Sequence, residues 1–205
     1  MVDHFSKLGV HRRPWLDVEQ LKQRFHQLSI EIHPDHSLDD ADDVKIEHQR
    51  EFVSINSAFQ CLSDTKLRVR HLLELERGRA SENVQSVPAE MTGWFTEISL
   101  VCSKVDLFLK KKEEQDSPIL QAALMEEGIL LNDEVSEMHQ KLQIELIKIN
   151  EALKSLNPQW DQIGEDPVRR LEKLPLVELD SIGQRLSFWV KWSSQLGDRS
   201  SRLMF

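Results

Sequence analysis

Cysteine is scarce in this chain, which has two among its 205 residues, Cys61 and Cys102. The two lie far apart, and neither has a partner at the spacing typical of metal ligands. The sequence therefore predicts neither a disulfide framework nor a cysteine-rich zinc site. Both are interpreted as reduced thiols of a cytoplasmic protein.

Concentrated positive charge and long apolar runs are also lacking. The net charge of −9 argues against a duplex nucleic-acid partner, because phosphate contacts need a concentrated basic surface. No apolar run approaches the length of a membrane span, and the first residues lack the basic and then apolar pattern of a secretory signal. We expect a soluble protein without a membrane partner.

Strand-like alternation is absent as well, and the pattern that recurs is helical. In the first strong stripe, apolar residues follow one another at spacings of four, three and four, which places them on one helix face. They are Leu21, Phe25, Leu28 and Ile32. Pro34 comes directly after this stripe and stops the helix, so it holds His33 and Asp35 on a tight, exposed turn.

Four short helices are predicted before residue 77. The first covers about residues 3–9 and ends at Gly9, and the second begins at the N-cap Asp17, with Gln20 in the position of a capping box. The third and fourth cover about residues 39–62 and 65–76. The acidic start of the third, residues 39–43, lacks the glycine and the glutamate of a calcium loop, so we interpret it as a helix N-terminus.

The second half of the sequence predicts three main helices and one short piece. A stripe from Met91 to Phe108 ends near Pro118, and a long helix over about residues 119–156 is predicted to stop at Asn157-Pro158. A short piece covers 167–174, and a last helix covers 177–197. Three main helices joined by turns indicate an antiparallel bundle.

Together these motifs resemble the J-domain of the DnaJ co-chaperone family. The tripeptide His33-Pro34-Asp35 is preceded by residues 3–10, DHFSKLGV, and followed by residues 55–64, INSAFQCLSD, in the family's order. The resemblance covers residues 1–76. It implies an all-α fold: a four-helix J-domain whose antiparallel hairpin carries the tripeptide, a linker at 77–88, and a C-terminal antiparallel three-helix bundle at 89–205 that binds a client.

Within this family the chain is most similar to HscB-like co-chaperones of iron–sulfur cluster assembly. The spacing from Gly9 to His33, the connection at 12–17, and the segments 66–73 and 184–189 carry the likeness. Neither a Gly/Phe-rich stretch nor a cysteine-rich repeat follows the J-domain. His71 stands where those proteins have an aromatic residue. Ile32 and His36 also depart from the usual tyrosine and lysine.

The resemblance implies binding rather than catalysis, with no cofactor. The protein would dock on a seventy-kilodalton heat-shock chaperone, HscA-like or DnaK-like, stimulate its ATPase and deliver a client such as an IscU-like iron–sulfur scaffold protein. The residues that would bind the chaperone are His33, Pro34, Asp35, Lys22, Arg24 and His26. Those that would bind the client are Met91, Trp94, Phe95 and Ile98. Since adjacent residues point about 100° apart on a helix, Trp94 and Phe95 cannot both face a core, and one is expected to be partly exposed.

The sequence also admits two alternative interpretations. A J-domain scaffold or adaptor with a different client, or with weakened ATPase stimulation, stays open because Glu31 and Ile32 depart from the family pattern. An enzyme or metal site built from His33 and His36 with His4 or Asp35 is disfavoured. A His-x-x-His pair beside a proline has no helix to align its rings. We therefore expect neither an enzyme nor a metal site.

Overall fold

The structure is a computed structural model, and it describes residues 2–31, 42–80, 86–114, 118–164 and 166–203. Every regular element in these ranges is helical, which confirms the expected all-α fold. In chain order the helices are α1 His4–Leu8, α2 Val18–Glu31, α3 Asp42–Ser63, α4 Thr65–Arg77, α5 Thr92–Glu113, α6 Pro118–Asp161, α7 Pro167–Lys173 and α8 Leu176–Leu203, with a 3-10 turn at Ala89–Met91. None of the described helices is both long enough and apolar enough to cross a membrane.

Two helix ends follow directly from the sequence. The Asp17 carboxylate accepts hydrogen bonds from the backbone N–H groups of Glu19 (2.9 Å) and Gln20 (3.0 Å), as expected of an N-cap. Gly9, with φ 63°, adopts the left-handed conformation that ends α1. The predicted start of α2 and end of α1 are confirmed.

The predicted stop at Asn157-Pro158 is wrong, because α6 continues to Asp161 with Pro158 inside it. A proline in a helix costs about 3 kcal/mol through the missing N–H and the clash of its ring. Here Asn157 and Trp160 flank the proline, are both buried, and hydrogen-bond to Trp15 and Glu76. Tertiary contacts on both sides of Pro158 thus keep the last turn helical.

The chain divides into two compact units. The first combines Met1–Glu82 with Asn150–Gly183, and the second combines Asn83–Ile149 with Gln184–Phe205. Helices α6 and α8 therefore each contribute to both units. The domains predicted from the sequence are two continuous segments, one that ends at residue 76 and one that begins at residue 89. These limits stay a prediction.

A buried arginine connects α4 to the chain around it in the first unit. The Arg68 side chain is almost fully buried. Its Nε donates to the Pro14 carbonyl (3.0 Å), and its Nη1 donates to the Leu62 carbonyl (2.6 Å). Burial lowers the pKa of Arg68 to about 10, so the guanidinium stays charged at neutral pH. Because Leu62 lies in the last turn of α3, the cation also interacts favourably with the negative end of that helix dipole.

Glu76, near the end of α4, is a second buried charge. Arg170 in α7 donates from Nη2 and Nε to the two carboxylate oxygens of Glu76, at 2.5 and 2.8 Å. The Glu76 and Arg170 side chains are 2% and 8% exposed. The Trp160 indole N–H also donates to the Glu76 carboxylate, at 3.3 Å. This two-point pairing holds α4 against the later segment of the same unit.

Two more contacts join the early helices to that segment. The Asn157 side-chain amide donates to the Trp15 carbonyl and accepts from the Trp15 N–H, both at 3.0 Å. At Gly183 in α8, an added Cβ would lie 3.2 Å from a Val69 side-chain carbon. Glycine therefore allows α8 to approach α4 closely.

In the second unit, side-chain pairs show the direction of each helix. Pairs between α5 and α6, and between α6 and α8, join residues whose numbers rise in one helix and fall in the other, so these helices are antiparallel. Pairs between α5 and α8 rise together, so these two are parallel. The pairs are Lys104–Glu134, Lys111–Glu127, Ser193–His139, Ser200–Asn132, Arg199–Asp106 and Arg202–Glu113. The predicted helical bundle is confirmed.

Breaking the buried ion pair is expected to destabilise the protein strongly. Glu76→Gln should lower the free energy of unfolding by about 3–5 kcal/mol, because a neutral amide would replace the buried carboxylate that Arg170 bonds at two points. Replacing both partners, as Glu76→Leu with Arg170→Met, should restore most of the loss. Urea denaturation followed by circular dichroism measures both changes.

Glu137 provides the matched control, because its ion pair with Lys141 lies on the surface. Glu137→Gln should leave the free energy of unfolding almost unchanged, because exposed ion pairs contribute little. If Glu76→Gln proves as mild as this control, the buried pair does not hold the first unit together.

Candidate functional site

The predicted tripeptide His33-Pro34-Asp35 lies outside the described residues, as do Ile32 and His36. The helices on either side of this segment are described. Helix α2 ends at Glu31 before it, and α3 begins at Asp42 after it. The geometry of the candidate site is therefore that of these two flanking helices.

The predicted apolar stripe holds α2 against α3. The rings of Phe25 in α2 and Phe59 in α3 stack with centroids 4.5 Å apart and planes 19° apart. Leu21, one turn before Phe25, is buried. Because this face of α2 packs inward, the side chains on the opposite face point to solvent.

The three cationic or titratable side chains predicted on α2 are placed differently. Lys22 and His26 are exposed. Arg24 is half-buried, and its Nε donates to the Leu8 carbonyl (3.1 Å) at the end of α1. Its guanidinium lies 3.1 Å from where a Cβ on Gly9 would be. Arg24 thus has a structural task, whereas Lys22 and His26 present their side chains to solvent.

Exposed apolar side chains next to the segment 32–41 were not singled out from the sequence. Ile30 in α2 is 64% exposed, and Val44 and Ile46 in α3 are also exposed. Ile30 lies nine residues after Leu21, which places it about 180° from the buried stripe. An apolar residue on the polar face was the signal in the sequence that could have identified it.

The predicted client-binding residues on α5 are not all at the surface. Met91, just before α5, and Ile98 are each 1% exposed and belong to the core of the second unit. Trp94 is half-buried, with its ring at 88° to that of Trp189 and 4.9 Å from it. Phe95 is 47% exposed. The expectation that one of the two adjacent aromatic residues is exposed is confirmed, and the accessible part of this set is Phe95 with part of Trp94.

Phe95 is not continuous with the other exposed apolar residues of α5. Leu100 and Leu107 are also exposed, but five residues separate Phe95 from Leu100, which corresponds to a rotation of about 140°. Leu100 and Leu107, seven residues apart, share a face. Phe95 is therefore a single aromatic side chain on a separate face.

Sequence comparison finds relatives for the first third of the chain. Residues 3–71 match the DnaJ domain family. The chain is 34% identical over 68 residues to Adaptation to cold protein J of Shewanella oneidensis, covering 33% of this chain and 70% of that protein. It is 36% identical over 66 residues to human DnaJ homolog subfamily C member 8, covering 32% of this chain and 24% of the human protein.

Structural comparison extends the likeness beyond that region. The crystal structure of human co-chaperone protein HscB matches with a TM-score of 0.61 at 17% sequence identity, over 96% of this chain and 81% of that chain. At this level of identity the likeness is one of fold. It includes the second half of the chain as well as the first.

The two cations of α2 are expected to differ in their effect on stability. Arg24→Ala should lower the free energy of unfolding by about 1–2 kcal/mol, because the Leu8 carbonyl loses a charged donor. Lys22→Ala, on the same helix, should change it by less than about 0.5 kcal/mol. Urea denaturation of the two variants makes the comparison, and equal losses would contradict the structural task assigned to Arg24.

Proposed function

The chain belongs to the DnaJ-domain family, and from this membership we propose that it is a J-type co-chaperone that docks on a seventy-kilodalton heat-shock chaperone and stimulates its ATP hydrolysis. The observation that carries the proposal is the match of residues 3–71 to the family. The matched region includes the intact tripeptide His33-Pro34-Asp35. In this proposal no residue of the chain takes part in catalysis, because the partner hydrolyses the ATP.

The tripeptide is proposed as the docking contact, with each residue in its own role. Asp35 pairs with a cation on the chaperone, His33 supplies a ring N–H donor, and Pro34 restricts the backbone between them. Binding at this point shifts the chaperone toward its hydrolysing conformation, because the co-chaperone binds that conformation more tightly.

Helix α2 is proposed to guide the approach to an acidic surface of the chaperone. Lys22 and His26 are exposed and support this role. Arg24 already donates to the Leu8 carbonyl, so its contribution is to hold α2 against α1. Steering by so few charges is modest, and salt screens it over a Debye length of about 10 Å at 0.1 M.

The client is proposed to be an iron–sulfur cluster scaffold protein of the IscU type. Two features support this: the resemblance of the sequence to HscB-like co-chaperones, and the fold shared with human HscB over 96% of the chain. The exposed ring of Phe95 is the proposed anchor, since aromatic side chains dominate binding at protein interfaces.

One observation favours a second candidate, a J-domain adaptor with a different client. Met91 and Ile98 are buried, so the client surface on this face of α5 is smaller than the four residues predicted from the sequence. Two of the four residues proposed to contact an iron–sulfur scaffold are therefore inaccessible to it. The two candidates share the J-domain and differ in what the second unit binds.

The tripeptide can be tested by ATP turnover of a cognate seventy-kilodalton chaperone. Wild-type protein should accelerate steady-state turnover, and His33→Gln and Asp35→Asn should each abolish the acceleration because the docking contact is lost. The far-ultraviolet circular dichroism should be unchanged. His11→Gln, an exposed histidine outside the tripeptide, is the control that should keep full stimulation.

Two results would contradict this part of the proposal. Equal stimulation by wild type and His33→Gln would remove the tripeptide from the mechanism. A folded wild type that stimulates none of the organism's seventy-kilodalton chaperones would favour the adaptor.

The client can be tested by calorimetric titration with an iron–sulfur scaffold protein. Phe95→Ala should weaken binding at least tenfold, roughly 1.4 kcal/mol, and leave thermal stability nearly unaltered because the ring is half exposed. Leu107→Ala, an exposed apolar side chain on another face of α5, should leave binding unchanged. If the wild-type protein binds no such scaffold, the iron–sulfur client is refuted and the co-chaperone role remains.

A further inference from the structure

Three side chains of metal-binding type converge in the first unit from three different helices. His4 is the first residue of α1, Cys61 lies in the last turn of α3, and His71 lies in α4. One potential ligand atom from each residue lies within 4.8 Å of the other two. These residues are far apart in the sequence, and no spacing motif links them.

The two imidazole rings are held in place by their surroundings. Their centroids are 4.5 Å apart, and His71 Nε2 accepts a hydrogen bond from the His4 backbone N–H at 3.2 Å. The His71 ring also stacks on Phe5, with planes 9° apart. Because a neutral imidazole has a single acceptor nitrogen, a metal ion bound to His71 would replace the hydrogen bond that His71 Nε2 accepts from the His4 N–H.

The His4 ring has a buried nitrogen that nothing in the described residues satisfies. His4 Nδ1 is inaccessible to solvent and has no hydrogen-bond partner among them. A buried polar atom without a partner costs free energy. Burial also lowers the pKa of both His4 and His71.

We propose that His4, Cys61 and His71 form a binding site for a divalent transition-metal ion, with zinc as the ion that the donor set fits. Two imidazole nitrogens and one thiolate suit zinc, whose bonds to nitrogen and sulfur are about 2.0–2.3 Å long. Ligand atoms around a tetrahedral zinc ion therefore lie roughly 3.3–3.7 Å apart. Closing from 4.8 Å to that spacing requires the three side chains to move together by roughly 1 Å.

Binding requires one proton to leave. The Cys61 thiol gives its proton to solvent as the zinc–sulfur bond forms. Burial, with Asp64 and Glu74 nearby, raises the pKa of the Cys61 thiol, so the free site holds the neutral thiol. Asp3, next to His4, does not supply a fourth ligand, because its carboxylate is bonded to Ser6 and Arg12. The fourth position is left for water.

The charges around the cluster favour a cation. The carboxylates that act electrostatically on these three residues are Asp3, Asp64 and Glu74, and the cations are Arg12 and Arg68. Arg70 is paired with Glu74 at 3.1 Å, so the charges balance before the thiol loses its proton and are negative by one afterwards. A divalent ion would offset this excess.

An ion in this site would join α1, α3 and α4. Because the ligands meet only in the folded state, metal binding would stabilise that state by mass action. The first unit would then gain stability with the concentration of free zinc. This inference does not depend on the proposed co-chaperone function.

The site can be tested with cobalt as a spectroscopic substitute for zinc. The full chain, reduced and stripped of metal, is titrated with Co²⁺ and then with Zn²⁺. We expect a thiolate-to-cobalt charge-transfer band in the near ultraviolet and visible bands of tetrahedral cobalt, at one ion per chain, which zinc abolishes. Cys61→Ser should lose the charge-transfer band, and Cys102→Ser, which removes the other cysteine, should retain it.

A ring ligand is tested by His71→Gln, whose amide oxygen can still accept the His4 N–H. The zinc affinity of this variant is measured by competition with a chromophoric chelator. Loss of a residue that only hydrogen-bonds to a ligand lowers metal affinity by roughly 10–100-fold. Loss of His71 as a direct ligand should lower it by more. Zinc should raise the unfolding temperature of wild type and of Cys102→Ser but not that of Cys61→Ser. Circular dichroism confirms that each variant is folded.

Three results would overturn the proposal. They are a wild-type protein without a cobalt–thiolate band, a band that survives Cys61→Ser and disappears in Cys102→Ser, and a zinc affinity that His71→Gln leaves unchanged.

Discussion

The buried pair of Glu76 and Arg170 is the interaction on which the first unit depends. Removing two charges from water is costly, and the cost is offset only when the charges meet with good geometry and further hydrogen bonds. Both conditions hold, since the guanidinium bonds both carboxylate oxygens and Trp160 adds a third donor. Helix α4 is thus fixed near one end by Arg68 and near the other by Glu76. The helices that match the DnaJ family form one compact unit with residues 150–183.

Features set by neighbouring residues could be predicted from the sequence. The N-cap at Asp17, the glycine end of α1 and the apolar stripe of α2 depend on hydrogen bonds and periodicity within a few positions. The predicted stop at Pro158 was wrong because it relied on the local sequence alone. Its local signal was outweighed by contacts of Asn157 and Trp160 with residues far away in the chain.

In the candidate sites, too, the local sequence predicted part of the arrangement, and tertiary packing decided the rest. Periodicity indicated that α5 has a buried face, but the packing of the bundle decides that Met91 and Ile98 are inside and Phe95 is outside. On α2 the sequence treated Lys22 and Arg24 as equivalent cations, whereas the nearby Leu8 carbonyl makes only Arg24 structural. The convergence of His4, Cys61 and His71 could not be predicted, because three helices must pack before these side chains meet.

The construction of the first unit from two distant segments has a consequence for its biosynthesis. Arg170 follows Glu76 by 94 positions, and at about 5–20 residues per second a ribosome needs roughly 5–20 s to make that stretch. Throughout that interval the Glu76 carboxylate lacks Arg170, and the side chains of Val69 and Leu73, which later lie beside Gly183, are not covered by α8. The N-terminal helices emerge first, yet the unit that contains them is completed only after Gly183 has been synthesised. Completion of the first unit therefore waits for residues 150–183, and a nascent chain halted before them would expose an acidic and apolar surface on α4.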